Sequence, residues 1–152
     1  MAMWVRTNVT GYVKWFVPGG SPDFSTQTQY PQVHRNVWTH LCGTFNGSTG
    51  VTRIYIDGEL KIEKINEEEK SLPADFTPAG IGPEFGDRSL MAVDEVYLLS
   101  RALSSREVKA LYNDCEFNRM VVHYGFQKVN KTTGIVYDQS GQHNDALLQG
   151  GL

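Results

Sequence analysis

Between Trp38 and Ile65 the chain reads WTHLCGTFNGSTGVTRIYIDGELKIEKI, and its apolar positions fall into three strand-like runs separated by two turns. Trp38–Phe45 is rich in aromatic and β-compatible residues. It stops at Asn46-Gly47-Ser48-Thr49-Gly50, where Gly accepts positive φ and Asn tolerates it. Val51–Ile56 sets Val51, Arg53 and Tyr55 against Thr52, Ile54 and Ile56, the period-2 signature of a strand with two unlike faces. Asp57-Gly58 is a favoured two-residue hairpin turn, and Glu59–Ile65 alternates again with Leu60 and Ile62 on one side. The spacing predicts a three-stranded meander.

The flanking segments add strands and one helix. Ala2–Thr7 and Gly11–Val17 predict a strand pair around Asn8-Val9-Thr10, and Pro18–Arg35 is polar with at most one weak strand. Leu72–Asp87 holds Pro73, Pro78 and Pro83 with Gly80, Gly82 and Gly86, which excludes a helix there. Met91–Ser100 predicts a long strand. Ser104-x-x-Glu107 is a capping box: the Ser oxygen accepts from the helix N-terminus while the Glu reaches back. It predicts a helix of about two turns over Ser105–Tyr112, too short to stand alone and held by packing Val108, Leu111 and Tyr112 on a sheet. The pattern is all-β with one short helix.

Composition narrows the function classes. With 152 residues the chain is one domain or one domain plus a piece, and 40% apolar residues can build a real core. A net charge of −3 offers no basic footprint for nucleic acid, and no apolar run is long enough to span a membrane as a helix. The opening Met-Ala-Met-Trp-Val-Arg lacks the apolar core of a secretory leader, which leaves a cytosolic protein or, the favoured expectation, a piece excised from a longer secreted or cell-surface chain. Three sequons agree with that compartment: Asn8-Val9-Thr10, Asn46-Gly47-Ser48 and Asn130-Lys131-Thr132, making Asn8, Asn46 and Asn130 glycosylation candidates. Cys42 and Cys115 are the two cysteines; they are a disulfide candidate, with buried free thiols as the alternative.

Two blocks carry a family resemblance. Trp38-x-His40-x-Cys42-Gly43-Thr44-Phe45-Asn46-Gly47 with Ile54-Tyr55-Ile56-Asp57-Gly58 is the first. Val93-Asp94-Glu95-Val96-Tyr97-Leu98-Leu99-Ser100-Arg101-Ala102-Leu103-Ser104, followed by Glu107-Val108 and Leu111-Tyr112, is the second. Together they resemble the laminin G-like and pentraxin-like domains of the concanavalin A-like lectin/glucanase superfamily, over roughly residues 1–113. The resemblance implies a two-sheet antiparallel jelly-roll sandwich with its short helix near residues 105–112. Ala79-Gly80-Ile81-Gly82 resembles the family's short Gly-bearing strand and Phe85-Gly86 the turn after it. Pentraxins have a cysteine equivalent to Cys42, but their partner cysteine would fall near Ala2–Val5, where none stands.

The end of the chain resembles the opening of the same family's domain. Val121–Gln127 and Tyr137-Asp138-Gln139-Ser140-Gly141-Gln142-His143-Asn144-Asp145-Ala146 match its first strand and Asp-x-Ser-Gly loop, with Gln127 and Ala146 departing from the usual acidic residue and Gly. The expected organisation is therefore a jelly roll over 1–115 that lacks its first strands, plus opening strands over 119–152. Those strands either begin a next repeat or fold back to complete the same sandwich. Their apolar residues need covering, which places 121–127 beside Val93–Leu99.

Candidate chemistry is sparse. Asp94 and Glu95 are adjacent, which on a regular strand sends them to opposite faces and denies them the shared cleft that a glycosidase pair needs. His34, His40, His123 and His143 are scattered without metal-ligand spacing, and His40 reads as a packed, hydrogen-bonded core residue. Asn66–Lys70 is a charge run that reads as a solvated loop. The resemblance implies calcium as a cofactor, held by Asp138, Asn144 and Asp145, the alternative being an Asx-turn in which those side chains bond the backbone. The function expected is an extracellular binding or adhesion module of a multidomain protein. It would recognise glycan or protein ligands, with Trp15, Phe16 and Tyr30 as candidate exposed aromatics and neighbouring repeats as partners. A purely structural spacer and a glycoside hydrolase are the alternatives.

Overall fold

Three strands with alternating faces and tight turns between them pair with their sequence neighbours first. Accordingly β4 (Thr39–Asn46), β5 (Val51–Ile56) and β6 (Glu59–Ile65) form the expected meander, in registers running from Leu41 opposite Ile56 to Val51 opposite Ile65. Asp57 and Gly58 take φ of 51° and 76°, the double left-handed turn that matches strand twist. Asp57 also ties the turn to β4: its Oδ1 accepts from His40 N at 2.9 Å, and its own N–H donates to the His40 carbonyl. The computed structural model describes residues 1–16, 25–29, 32–65, 90–113 and 120–148, with 15, 16, 25, 26, 120 and 121 as backbone only. The expected Ala79–Gly82 strand, the Phe85-Gly86 turn, the Asn66–Lys70 run, Tyr30 and Cys115 lie outside the described residues.

β1 (Ala2–Thr7) departs from expectation. It does not pair with the following strand; it lies between β4 and β7 (Met91–Leu99), antiparallel to both. Its composition explains this, because Ala2, Met3 and Val5 are buried on both faces, and such a strand belongs in a sheet's interior. β2 (Lys14–Phe16) pairs instead with β3 (Ser25–Gln27) in a separate two-stranded sheet. β8 (Met120–Tyr124) adds to the outer edge of β7, with Tyr97 opposite His123 and Leu98 opposite Val122. The main sheet thus runs β6-β5-β4-β1-β7-β8. A three-stranded sheet orders β11 (Ala146–Leu147), β10 (Ile135–Val136) and β9 (Val129–Asn130).

Each face of the main sheet has its own core. On one side Ala2, Cys42 and Tyr55 meet Leu103, Val108 and Leu111; on the other Met3, Val5, Val33 and Val96 gather Leu41, Tyr124 and Phe126. The first core is closed by α1 (Ser105–Tyr112), which carries the full capping box on Ser104 and Glu107. Eight residues do not make a stable helix in water. Burial of Val108 and Leu111, on the order of 1.5–3 kcal/mol each, supplies what the isolated helix lacks. Tyr55 Oη meets Ser105 Oγ at 3.1 Å, fixing the first turn of α1 to β5.

Candidate functional site

The last turn of α1 overhangs the Asp57-Gly58 turn, and the two can approach because residue 58 has no Cβ. A Cβ there would stand 2.8 Å from Lys109 Cδ and 3.1 Å from Tyr112 Cβ. Beside this contact lies a cleft of about 360 Å³ lined by Gln32, His34, Ile56, Asp57, Glu59, Lys61, Lys109 and Tyr112. Carboxylates, ammonium groups and an amide share its wall with one phenol ring. Lys61 and Glu59 pair at 2.9 Å, and the Lys109 ammonium sits 5.0 Å from the Tyr112 ring centre.

Tyr112 is the outermost member of an aromatic group. Its ring stacks on Trp4 at 5.6 Å, and His40 lies 5.3 Å from Trp4 and 5.7 Å from Tyr112. Trp4 and His40 are opposed in register, so both rings rise from the helix side of the sheet. His40 is 1% exposed, and neither ring nitrogen has a hydrogen-bond partner among the described residues. It is packed as expected but its ring is not hydrogen-bonded, which corrects that expectation: only its backbone bonds Asp57. Burial pushes His40 down to about 4, against the opposing pull of Asp57, so the imidazole is neutral at neutral pH.

A second polar group sits where β7 meets β8. Glu95 has φ of 48° and marks a bulge: β1 advances two residues, from Ala2 to Trp4, while β7 moves three, from Tyr97 to Asp94. Asp94 opposes Trp4, while Glu95 reaches Tyr97 and His123, which oppose each other. The bulge therefore brings both carboxylates to the helix side, and the expectation of opposite faces fails because simple alternation cannot foresee an extra residue. Glu95 Oε2 accepts from Tyr97 Oη at 2.7 Å and meets His123 Nε2 at 2.6 Å, while Oε1 accepts from Gln127. Burial raises its pKa, but the bonds from Tyr97, His123 and Gln127 outweigh that and hold the carboxyl below its ordinary value. Tyr97 and His123 also stack at 4.6 Å. The carboxylate is committed to fastening β8 to β7.

The loop expected to hold calcium is closed by its own side chains. Asp138 Oδ1 accepts from the N–H groups of His123 and Ser140, and Oδ2 from Ser140 Oγ and Asn144 N. Asp145 Oδ1 accepts from Asp138 N, and the Asn144 carbonyl accepts from Tyr124 Oη. Burial acts to raise the Asp138 carboxyl, yet these donors bring it down to about 2. Among the described residues no three His, Cys, Asp or Glu side chains converge as a metal site would require. The three residues are brought together, but in the pattern of an Asx-turn; as placed they do not offer calcium the six to eight oxygens it takes.

The remaining candidates are dispersed. Asn8, Asn46 and Asn130 lie at strand ends or turns, and each Oδ1 accepts a backbone N–H, from Leu90, Ser48 and Thr132 respectively. Cys42 is a buried free thiol, pushed up to about 11 by burial; Cys115, its candidate partner, lies outside the described residues. Trp15 and Phe16 stand on β2, where only backbone is described. Sequence reasoning missed the convergence of Trp4, His40 and Tyr112. The signal available for it was the aromatic spacing on two strands plus a terminal helix aromatic.

Comparison with known proteins agrees with this architecture. A laminin G-type family model described as the concanavalin A-like lectin/glucanases superfamily matches residues 2–109. A crystal structure of a candidate carbohydrate binding protein from Bacteroides ovatus ATCC 8483 superposes with a TM-score of 0.71 at 15% identity. The match covers 95% of this chain and 50% of that one, so the chain spans about half the length of that relative. No curated protein matches the sequence. The family match, extending over most of the chain from β1 into the helix, makes this protein a member of the concanavalin A-like lectin/glucanases superfamily, of laminin G type.

Proposed function

We propose that this chain is a saccharide-binding module of a larger extracellular protein, and that its ligand enters the cleft between α1 and the Asp57-Gly58 turn. The observation that carries this reading is the cleft's lining. Sugar hydroxyls both donate and accept, so they are best met by mixed carboxylate, ammonium and amide groups, as Glu59, Lys61, Asp57 and Gln32 provide. The π face of an aromatic ring suits the C–H face of a pyranose, and Tyr112 is the aromatic ring in the lining. A protein ligand would want roughly 800 Å² of complementary surface per partner, much of it apolar at its centre, which a small polar cleft does not favour. The lectins of the superfamily and the carbohydrate-binding description of the Bacteroides ovatus structure agree with the reading, although likeness at 15% identity speaks for the fold alone.

Binding without hydrolysis is part of the proposal. The superfamily also includes glucanases, and the β7 bulge removes the geometric objection to a carboxylate pair at Asp94 and Glu95. A chemical objection replaces it: a general acid must be protonated at working pH, whereas Glu95 is held below its ordinary pKa by three donors. The same commitment of Asp138 to N–H and O–H donors supports a module that works without calcium, and the sequons at Asn8, Asn46 and Asn130 support a secreted setting. A broad glycan array probed with the purified chain tests the reading. Glu59→Gln combined with Lys61→Met should cut binding to the arrayed hits about tenfold or more while leaving the melting midpoint unchanged, because both side chains are exposed. Absence of any glycan signal sinks it, and release of shorter sugars from a hit would turn it into a hydrolase.

A further inference from the structure

We propose that the saccharide site continues past the cleft along the helix side of the main sheet to Trp38, so that its ligand is a chain of several sugar units rather than one terminal sugar. This rests on the saccharide-binding reading above and adds the ligand's extent to it.

The elements place the surfaces in a row. Tyr112 stacks on Trp4, and Trp4 is opposed by His40 in the β1–β4 register. Arg6 lies two residues further along β1, hence on the same face as Trp4 and about 6.7 Å on, and Trp38 immediately precedes β4, two residues before His40. Their contact confirms it: the Arg6 guanidinium lies 5.2 Å from the Trp38 ring centre. The row therefore runs Lys109, Tyr112, Trp4 with His40, then Trp38 with Arg6, and His34 borders the cleft only four residues before Trp38. Trp38 is 39% exposed and belongs to neither buried core, whereas Trp4 and Tyr112 are partly covered by each other. An indole held by a cation keeps little freedom to lose on binding, which is the property a stacking platform needs. Its neighbour Val37 is exposed as well.

The test uses the intact chain with soluble gluco-, manno- and xylo-configured oligosaccharide ladders of one to about six units, read by calorimetry and by tryptophan emission. Affinity should rise with length over the first units. Trp38→Ala should abolish that rise, a loss of about tenfold at the longer lengths, consistent with one aromatic contact. It should leave binding of the shortest ligand and the melting midpoint as in the parent. Arg6→Ala should reproduce the effect in weaker form, and Tyr137→Ala, at an exposed aromatic just after β10, should do nothing. Binding that is independent of length, or a Trp38→Ala variant equal to the parent at every length, overturns the extended site while leaving the cleft standing. A parent chain that binds neither the ladders nor any arrayed glycan overturns both.

Discussion

Replacing Gly58 by alanine is the perturbation whose cost follows most directly from the structure. Residue 58 has φ of +76°, where a Cβ costs about 1–2 kcal/mol. Loss of glycine's freedom in the unfolded chain returns about 0.4–1 kcal/mol of that. The new methyl would also press on Lys109 Cδ at 2.8 Å and on Tyr112 Cβ and Cδ1 at 3.1 and 3.2 Å. Lysine can move aside, but Tyr112 is fixed by Trp4 and by the helix, so overpacking adds about 1–3 kcal/mol. The expected net loss is about 1–5 kcal/mol, centred on ~3, which lowers the urea midpoint by about 1–2 M. Gly141 provides the reference: its φ is +84°, yet nothing lies within 4 Å of a Cβ placed there. Gly141→Ala should therefore lose only about 0.5–1 kcal/mol. Adding Lys109→Ala to Gly58→Ala should recover part of the loss, a coupling visible in a double-mutant cycle. If Gly58→Ala unfolds no more easily than Gly141→Ala, α1 does not close on the turn as described, and the cleft's wall is misplaced with it.

The remaining predictions concern the helix cap, acid and metal. Ser104→Ala should cost about 1 kcal/mol through loss of the cap. The Arg101 guanidinium, followed by Ser104, holds Glu107 down to about 2. The contribution of Glu107 is thus present above its unfolded pKa near 4.5 and lost as pH falls toward 2. Because the pair is exposed and screened by solvent, Glu107→Gln should only slightly flatten the acid limb of stability against pH. Asp138→Ala, which orphans four donors, should destabilise by about 2 kcal/mol, while calcium and chelator should give the same melting midpoint in the parent; a calcium-dependent rise would show that the loop opens to coordinate a cation.

What was legible in the sequence was local. Alternation in Val51–Ile56, the Asp57-Gly58 pair and the Ser104/Glu107 box each encode a neighbour a few residues away, and each is found where expected. What escaped depended on distant partners or on breaks in the period. Nothing in Ala2–Thr7 names β4 and β7 as its neighbours, and only burial on both faces shows that it must have two. The Glu95 bulge breaks the alternation used to judge the carboxylates. The aromatic row needs residues from β1, β4 and α1 to be assembled before it exists at all. Asp138, Asn144 and Asp145 stand out as one oxygen-rich loop in the sequence, but which donors those oxygens meet, from His123 N on β8 to Ser140 N and Asn144 N in the loop, is decided only by the folded backbone.

The place of β1 has a consequence for how the molecule comes into being. Its partners stand about forty and about ninety residues downstream, while every other pair in the main sheet joins successive described strands. The sheet is thus two locally knitted ladders, β4-β5-β6 and β7-β8, bridged by one strand that is synthesised first and flanked last. A growing chain can knit the first ladder soon after Ile65 emerges, but the edge of β1 facing β7 stays open until Leu99 has been made. Long-range closure of this kind sets a slow folding step, and the segment kept waiting, Ala2–Thr7, contributes buried residues to each core, Ala2 to one and Met3 and Val5 to the other.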